Sequence, residues 1–538
     1  MSTSERHKNL GGLFETYAGA TTPTWHLDRP FDIAPESGRS YDVGALARLV
    51  ADMSGRLYAA GLRRGERLAI VKQNHHDVVL LAAAAARIGA LPAMISATNA
   101  PGVLATMMAR FEPKVLVASA EVLAAAAAEQ VKLTGPDTAV IAVDGDPARF
   151  PGVIGLGDLA GADVPVMDLR GNDEPMICTH TSGTTGVPKL VVHSPDTLIG
   201  ALTKMETMPL PGLSVRPSDT FASSIAFVHG RAITWTFAQL ARPPRKVVVL
   251  SGSEPETVQA TLEEHRPTIV EACPNIYQRW EPLVDTHAHL FSGVRAYLNT
   301  FDAIHPRTVR KFLGVSSRRM PVWGQVWGQS ETGPVAMALY TRGKLERGAK
   351  AEHPVTSTVG RPIPFVTKVS LVDPESRAAV PSGQQGVVLV RTKGLCLTYL
   401  GEDDRHGEKK WDGWWNTGDI GVRSRTGVLR IVDREVDIIP GTSGIELESL
   451  LLERLERATE VIVLGDPGGL PVPVISLTGP DLTEDEWRTA SAGLPELARP
   501  HVIAWEDFPR TGTWKVRRAD LRERVLHSQA TYGTGRWT

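Results

Sequence analysis

The sequence predicts an α/β protein with a large N-terminal domain of several subdomains and a small α+β C-terminal domain. Helix and strand patterns alternate between residues 40 and 119, and the alternation returns from Phe221 onward. This interval is typical of βαβ units and mostly parallel sheets, so we expect two α/β sheets. Short strands broken by Pro and Gly follow from Val366 to Val390 and indicate a small β unit, and a last segment begins near Asp433.

Apolar periodicity places the individual elements. In the first alternating set, we predict helices at Val43–Ala60 and Asp77–Ile88, with strands at Arg67–Val71 and Leu91–Ile95. The Ala-rich run Val122–Val131 is predicted to be a helix because Ala has the highest intrinsic helix propensity. Later predictions are strands at Lys246–Leu250 and Thr268–Glu271 and helices at Glu254–His265, Asn275–Val284 and Val516–His527.

Composition and charge limit the kinds of partner. The 538 residues include 58 Lys and Arg against 60 Asp and Glu, which gives a formal charge of −2. Because both signs are interspersed, no strong field attracts a nucleic acid or an anionic membrane, and we expect small-molecule partners only. Cys178, Cys273 and Cys396 are too far apart to indicate a disulfide framework or a zinc site. With no apolar leader and no run of about 20 apolar residues, we expect a cytoplasmic protein.

A loop rich in Thr and Gly lies between two apolar strands in the segment Met176–His193. Its candidate phosphate-binding residues are Thr181, Ser182, Gly183, Thr184, Thr185, Gly186 and Lys189. Glycines let backbone N–H groups converge on an anion, hydroxyls add donors, and the lysine offsets phosphate charge. The loop is not a Walker A motif, which needs GxxxxGK[ST] opening a helix, because Pro188 precedes Lys189 and a strand follows. The pattern therefore predicts a phosphate site of another kind.

Four further motifs follow along the chain. They are Trp327-Gly-Gln-Ser-Glu-Thr332, Trp415-Asn-Thr-Gly-Asp419, Asp433-Arg434 and Pro509-Arg-Thr-Gly-Thr-Trp-Lys515. Together with the TSGTTGVPK loop, they resemble the ordered motifs of the adenylate-forming superfamily, which includes acyl- and aryl-CoA ligases, peptide-synthetase adenylation domains and firefly luciferase. Members of that family join a carboxylate to the α-phosphate of ATP and release pyrophosphate. They commonly pass the acyl group to a thiol after the small, mobile C-terminal domain rotates.

The resemblance implies that ATP and Mg²⁺ are cofactors and that CoA is a candidate acceptor. It implies the following roles: Mg²⁺ binding for Glu331, α-phosphate contact for Ser330, adenine contact for Trp327, ribose binding for Asp419, ribose and phosphate contact for Arg434, and catalysis for Lys515. One carboxylate combined with phosphate oxygens is a coordination that Mg²⁺ prefers. A lysine brought to the α-phosphate would stabilise the charge that develops there.

The sequence departs from the family at the acid pocket. Asn299-Thr-Phe-Asp302 stands where the family usually has a Ser-Gly-Gly-Glu-like segment, whose glycines leave room for the acid. A benzyl side chain at a glycine position would fill much of that pocket. The candidate pocket residues are Phe227, His229, Phe301, Asp302 and Trp323.

A second departure lies at the hinge between the predicted domains, residues 1–432 and 433–538. Many CoA ligases have Gly-Arg-x-Asp-Asp-x-Ile-Lys there, whereas this chain has Val436 at the pivot and Pro440 in place of the lysine. Neither change affects the adenylation residues. Both weaken the inference that a pantetheine thiol is the second substrate.

These observations predict an ATP-dependent ligase that activates a small or aromatic acid as its AMP anhydride and transfers it to an acceptor, CoA or a carrier thiol by default. A nearly closed pocket suits an alternative, in which ATP activates nitrite to diazotise an aryl amine. A third alternative is a non-catalytic nucleotide-binding protein. Retention of Lys189, Glu331, Asp419, Arg434 and Lys515 counts against that third reading.

Overall fold

The computed structural model describes residues 8–181, 186–208, 210, 212–348, 353–437, 439, 441–466, 469–512 and 514–527. Its strands, in chain order, are β1 (Thr24–Leu27), β2 (Ser40–Tyr41), β3 (Arg67–Lys72), β4 (Leu91–Ser96), β5 (Val115–Ala118), β6 (Ala139–Ala142), β7 (Val153–Gly155), β8 (Ile177–His180), β9 (Leu190–His193), β10 (Thr220–Ser224), β11 (Lys246–Val249), β12 (Ile269–Ala272), β13 (Ala296–Asn299), β14 (Val322–Gln329), β15 (Gly333–Tyr340), β16 (Thr358–Pro362), β17 (Thr367–Val372), β18 (Gln385–Thr392), β19 (Thr398–Tyr399), β20 (Lys410–Trp411), β21 (Trp414–Arg423), β22 (Leu429–Arg434), β23 (Ala458–Leu464), β24 (Val472–Leu477) and β25 (His501–Val502). Its α-helices are α1 (Leu10–Thr16), α2 (Val43–Ala59), α3 (Asp77–Arg87), α4 (Pro101–Phe111), α5 (Ala120–Ala128), α6 (Ala201–Glu206), α7 (Gly230–Ala241), α8 (Pro255–His265), α9 (Pro274–Thr286), α10 (His289–Ser292), α11 (Pro306–Val315), α12 (Arg342–Gly348), α13 (Asp403–Glu408), α14 (Gly444–Arg454), α15 (Glu484–Ser491) and α16 (Arg518–Arg522).

The chain divides into two compact units, each made of several segments. The first comprises Met1–Glu271, Ser330–Gly333 and Thr392–Glu408, and the second comprises Ala272–Gln329, Pro334–Arg391 and Lys409–Thr538. The predicted domain boundary after residue 432 stays a prediction. Among the described residues, every helix is too short or too polar to span a bilayer.

The first unit contains the two predicted α/β sheets. One has the strand order β19-β9-β8-β4-β3-β5-β6-β7, and the other runs β12-β10-β11-β1-β2. Strands β3, β4 and β5 pair in parallel, as do β10 and β11, so the βαβ prediction is confirmed. The helix predicted at Asp77–Ile88 is α3, and its residues Val78–Ala86 are buried. An apolar, Ala-rich helix that is buried all round fits close to the sheet because Ala needs little space.

A buried ion network joins the end of β3 to the start of α3. The Lys72 ammonium is fully buried, 2.7 Å from Asp77 Oδ1 and 2.6 Å from Asp32 Oδ2. Its pairing lowers the pKa of Asp32 to about 2, against the opposing effect of burial. In the same connection, Asn74 Oδ1 accepts a 2.8 Å hydrogen bond from Phe227 N, and its Nδ2 donates to the Ile225 and Ser251 carbonyls. The network thereby fixes the turn that precedes α7.

The second unit contains the predicted β-rich part and the C-terminal segment. Its larger sheet has the order β17-β18-β21-β22-β16-β15-β14-β13, and a separate sheet has the order β23-β24-β25. Strands β17 and β18 are the short strands predicted between Val366 and Val390. An apolar core built on Leu447, Leu451, Val461 and Ile475 packs α14 against the β23-β24-β25 sheet.

Candidate functional site

The base of the Thr/Gly loop is a closed hairpin in the first unit. Strands β8 and β9 pair antiparallel, with Ile177 opposite His193 and His180 opposite Leu190. Thr181 N donates to the Lys189 carbonyl at 3.1 Å, and Lys189 N donates to Thr181 Oγ1 at 3.2 Å. Gly186 has a φ of 138°, a conformation that favours glycine. Ser182, Gly183, Thr184 and Thr185 lie outside the described residues.

The predicted metal ligand Glu331 is held by a tyrosine that the motif analysis did not identify. Tyr399 donates a 2.6 Å hydrogen bond to Glu331 Oε1, and Lys189 Nζ lies 4.0 Å from the same oxygen. Burial, reinforced by the Glu331 charge, raises the pKa of Tyr399 far above its ordinary value, so the phenol stays protonated and donates. Tyr399 reaches this position because β19 pairs with β9, with Tyr399 opposite Val191. Its strand pairing is a long-range contact that local sequence patterns do not reveal.

Two histidines orient Ser330. His229 Nδ1 accepts the Arg231 amide hydrogen at 3.1 Å at the start of α7, which places the imidazole hydrogen on Nε2. This Nε2 lies 3.1 Å from Ser330 Oγ and donates to it, which leaves the serine hydrogen available for a phosphate oxygen. His193 Nε2 donates to the Ser330 carbonyl at 2.8 Å, and burial lowers the pKa of His193. His229, predicted as a pocket residue, thus contacts a predicted catalytic residue.

Phe227 is fully buried in the first unit. Its ring packs edge-on against His76, with ring centroids 5.6 Å apart, and against Trp235 at 6.1 Å. Complete burial lowers the pKa of His76 to about 3, so this imidazole is neutral at physiological pH. The contacts of Phe227 are those of a core residue that supports the turn carrying His229.

Asp419 lies in the second unit together with Arg434, the other predicted ribose contact. It is opposite Arg434 in the β21–β22 pair, with 3.9 Å between Arg434 Nε and Asp419 Oδ1, and Gln329 Nε2 donates to its Oδ2 at 3.2 Å. Burial raises the pKa of Asp419 to about 6, and the charges of Arg434 and Lys515 act in the opposite direction. Gln329 was not identified from the sequence.

Two other motif residues in the second unit have clear packing. Trp327 packs against an apolar cluster that includes Val335, Val388 and Ile431. Lys515 lies in a turn closed by Thr511, whose amide donates to the Lys515 carbonyl at 2.8 Å. The side chain of Val436 and the whole of Pro440 lie outside the described residues.

The chain makes a strained turn at Phe301, directly after β13. Phe301 has a φ of 80°, and Asp302 N donates to the Thr300 carbonyl at 3.1 Å. A hydrogen bond to the residue two positions earlier, around a residue with positive φ, defines a γ-turn of the rare, strained kind. Asp302 is exposed, and the Thr300 hydroxyl is buried with no hydrogen-bond partner among the described residues.

Trp323 anchors this turn. Its Nε1 donates a 2.7 Å hydrogen bond to Asn299 Oδ1, and Asn299 Nδ2 donates to the Asp302 carbonyl at 3.3 Å. The indole is fully buried and stacks on Tyr297 with a centroid distance of 5.4 Å. A tryptophan with both its ring and its N–H satisfied holds the end of β13 in place.

The chain belongs to the AMP-binding enzyme family, whose model matches residues 22–400. It is 35% identical over 97% of its length to 3-amino-2-hydroxy-4-methoxybenzoate diazotase from Streptomyces cremeus, covering 96% of that protein. It is 25% identical to 4-coumarate–CoA ligase 5 from Oryza sativa subsp. japonica, covering 90% of this chain and 89% of that one. The crystal structure of an anthranilate CoA ligase in complex with anthranoyl-AMP matches with a TM-score of 0.79 and 19% identity, over 97% of this chain and 98% of that one.

These matches confirm the predicted superfamily and fold class, a large N-terminal α/β domain with a small C-terminal domain. The protein is an ATP-dependent, AMP-forming ligase, as the motifs predicted. The roles of individual site residues and the identities of the acid and the acceptor stay predictions.

The raised pKa of Asp419 predicts a pH-dependent cost to stability. A carboxyl whose pKa rises from 3.8 to about 6 on folding destabilises the folded protein by about 3 kcal/mol once it is fully ionised. Asp419→Asn should therefore raise the melting temperature of the nucleotide-free protein at pH 7.5. The gain should shrink as the pH falls through 6 and vanish near pH 4, where the carboxyl is protonated in both states.

Thermal melts between pH 4 and pH 8 test this expectation, with the exposed Asp481→Asn as the control. A melting temperature that is unchanged or lower for Asp419→Asn at pH 7.5 would contradict it.

Proposed function

We propose that this enzyme activates nitrite with ATP and joins the activated nitrogen to the amino group of an aryl amine, which makes it a diazotase. The observation that carries the proposal is Phe301, a bulky residue held at a φ of 80°. The diazotase from Streptomyces cremeus, 35% identical over nearly the whole chain, supports the same reaction and suggests an amino-hydroxybenzoate as the amine.

The turn at Phe301 supports a pocket for a very small acid. The left-handed conformation costs a residue other than glycine about 1–3 kcal/mol, and strain of this kind concentrates at functional sites. The backbone keeps the conformation that suits the usual glycine, while the side chain adds a benzyl group. Nitrite has three heavy atoms and needs little of the space that a benzoate or cinnamate occupies.

Separate residues would contact each part of the nucleotide. The loop from Thr181 to Lys189 would hold phosphates, and Ser330 would donate to the α-phosphate. Trp327 would contact the adenine, Asp419 the ribose, and Arg434 the ribose and phosphates. Lys189 and Arg434 carry positive charge, so they would offset the repulsion between the triphosphate and nitrite.

Glu331 fits the expected Mg²⁺. Tyr399 and Lys189 engage its Oε1, which leaves Oε2 for a cation. No cluster of three or more His, Cys, Asp or Glu side chains suited to a metal occurs among the described residues, so phosphate oxygens and water would complete the coordination. When bound, the cation would neutralise phosphate charge.

The proposed reaction balances in two steps. A nitrite oxygen attacks the α-phosphorus of ATP, the bond to the β-phosphate oxygen breaks, and pyrophosphate leaves with the electron pair. The amine nitrogen then attacks the nitrogen of the nitrite–AMP anhydride, the N–O bond breaks, and AMP leaves with that oxygen while the amine loses a proton. The resulting N-nitrosamine then takes up a proton and loses water, which gives the diazonium product. No protein nucleophile is needed, and Lys515 would stabilise the negative charge that develops at the α-phosphate in both steps.

The Thr300 hydroxyl suits the second substrate. Its buried oxygen lacks a partner among the described residues, and an unmade hydrogen bond at such a group is costly. A hydroxyl can both donate and accept a hydrogen bond, so this oxygen can accept from the N–H of an aryl amine. Thr300 is therefore compatible with an amine as the acceptor.

Purified enzyme with ATP, Mg²⁺ and nitrite should form AMP and a diazo product when given amino-hydroxybenzoates. AMP is measured by chromatography, and the diazo product is trapped by coupling to a naphthol. Lys515→Ala should reduce both by orders of magnitude, because the transition-state charge loses its cation. AMP formation with aryl carboxylates and CoA, and none with nitrite, would instead establish the aryl-CoA ligase that the 4-coumarate–CoA ligase likeness favours.

Comparing Phe301→Gly with Phe301→Ala should separate the effect of backbone strain from the effect of the ring on the pocket. Glycine adopts the φ of 80° without penalty, so Phe301→Gly should be more stable to unfolding than Phe301→Ala by about 1–2 kcal/mol. Both variants should gain acid-dependent pyrophosphate exchange with benzoates, because both remove the ring. Equal stability of the two variants, or exclusion of benzoates by both, would contradict this account of Phe301.

A further inference from the structure

The C-terminal segment is fastened to α11 by Arg307. This guanidinium donates to the carbonyls of Leu452 and Leu455 at 2.7 and 3.2 Å, at the end of α14, and to the Ala458 carbonyl at 2.7 Å. The last carbonyls of a helix lack partners within the helix and carry partial negative charge, so a cation there satisfies both needs. Arg310, one turn further along α11, forms an ion pair with Glu453 of α14. All these residues belong to the second unit.

A second set of side-chain contacts joins α9 to the turn that carries Lys515. Asn275 Nδ2 donates to Glu460 Oε2 at 2.9 Å, and Arg510 Nη2 lies 2.8 Å from the same oxygen. Glu460 and Arg510 are both largely buried, and breaking a buried pair of this kind is costly. Arg510 pairs with Val516 in an isolated antiparallel β-bridge, and Lys515 lies between these two residues in the chain.

Aromatic rings add to this second set of contacts. The Arg279 guanidinium of α9 lies 4.9 Å from the Trp505 ring centroid, and that of Arg510 lies 4.2 Å from it. Trp505 in turn stacks on Trp514 at 5.7 Å, and Trp514 directly precedes Lys515. Cation–π contacts of this kind add to the ion pair and fix the turn relative to α9.

We infer that Asn275, Arg279 and Arg307 are positioning residues that hold the turn carrying Lys515 in one arrangement through both chemical steps, so that this arrangement of the C-terminal segment serves nitrite activation and amine condensation alike. This inference rests on the proposed function. An aryl amine has no long arm that must be admitted after activation, so the proposed second step has no need for the rotation that members of the superfamily commonly make to admit a thiol.

A covalent tether tests the inference directly. Arg310→Cys and Glu453→Cys place thiols at an exposed ion pair outside the proposed catalytic residues, where a short bis-maleimide can join α11 to α14. The native Cys178, Cys273 and Cys396 are buried, so the reagent should reach the introduced pair first. Controls are each single-cysteine variant treated with the reagent, and the untreated double variant.

The tethered enzyme should keep nitrite-dependent pyrophosphate exchange and diazo-product formation within about twofold of the untreated double variant. Exchange that persists while product formation falls tenfold or more would overturn the inference, because the second step would then need a movement. Loss of exchange on tethering would also overturn it, because the fastened arrangement would not be the activating one. Absence of nitrite-dependent product from the untethered protein would refute the proposed function, and the inference with it.

Asn275→Asp provides a second readout that a general loss of structure would not produce. A carboxylate 2.9 Å from Glu460 would repel it and loosen the Lys515 turn, whereas Asn275→Ala only removes one donor. If Lys515 serves both steps from one position, exchange and product formation should fall by the same factor in Asn275→Asp, with the KM for the amine unchanged. A loss in one step alone would overturn the inference.

Discussion

Buried charge, which a protein can keep only beside a partner, is the constraint that organises both units. Lys72 is fully buried between Asp32 and Asp77, where β3 meets α3. That junction holds Asn74, whose side chain fixes the turn before α7, and the turn sets His229 against Ser330. An uncompensated charge at Lys72, Asp32 or Asp77 would cost several kcal/mol. Their pairing therefore constrains the backbone path as well as the local contacts.

The same constraint acts on two candidate site residues, Glu331 and Asp419, in opposite ways. Glu331 is satisfied by Tyr399 and Lys189, a donor and a cation that leave one carboxylate oxygen for another partner. Burial raises the pKa of Asp419 more than the charges of Arg434 and Lys515 lower it, so the pKa is about 6. A carboxylate that is costly to keep ionised gains most from a ligand that donates hydrogen bonds to it, as ribose hydroxyls do. Without nucleotide, the folded protein is therefore less stable than it would be with a neutral side chain at position 419.

Local patterns and ordered motifs in the sequence predicted most of the secondary-structure elements and many of the candidate site residues. The helix predicted at Asp77–Ile88 and the strand at Arg67–Val71 lie within a residue of α3 and β3. The C-terminal helix begins at Arg518 rather than Val516, because Val516 pairs with Arg510 in the bridge around Lys515. Tyr399, His193 and Gln329 were missed because each acts on a motif residue far away in the chain. The left-handed φ of Phe301 was not predicted from its side chain, and only the resemblance to a family segment with glycine at that position pointed to it.

The proposed function requires that nitrite, as an oxygen nucleophile, attacks the α-phosphorus of ATP. Turnover of ¹⁸O-labelled nitrite with an aryl amine in unlabelled water tests it, with the AMP analysed by mass spectrometry. We expect one ¹⁸O atom in the phosphate of each AMP, because the N–O bond breaks when the amine attacks. AMP that carries only unlabelled oxygen while the diazo product forms would contradict it, since water would then have cleaved ATP without a nitrite–AMP anhydride.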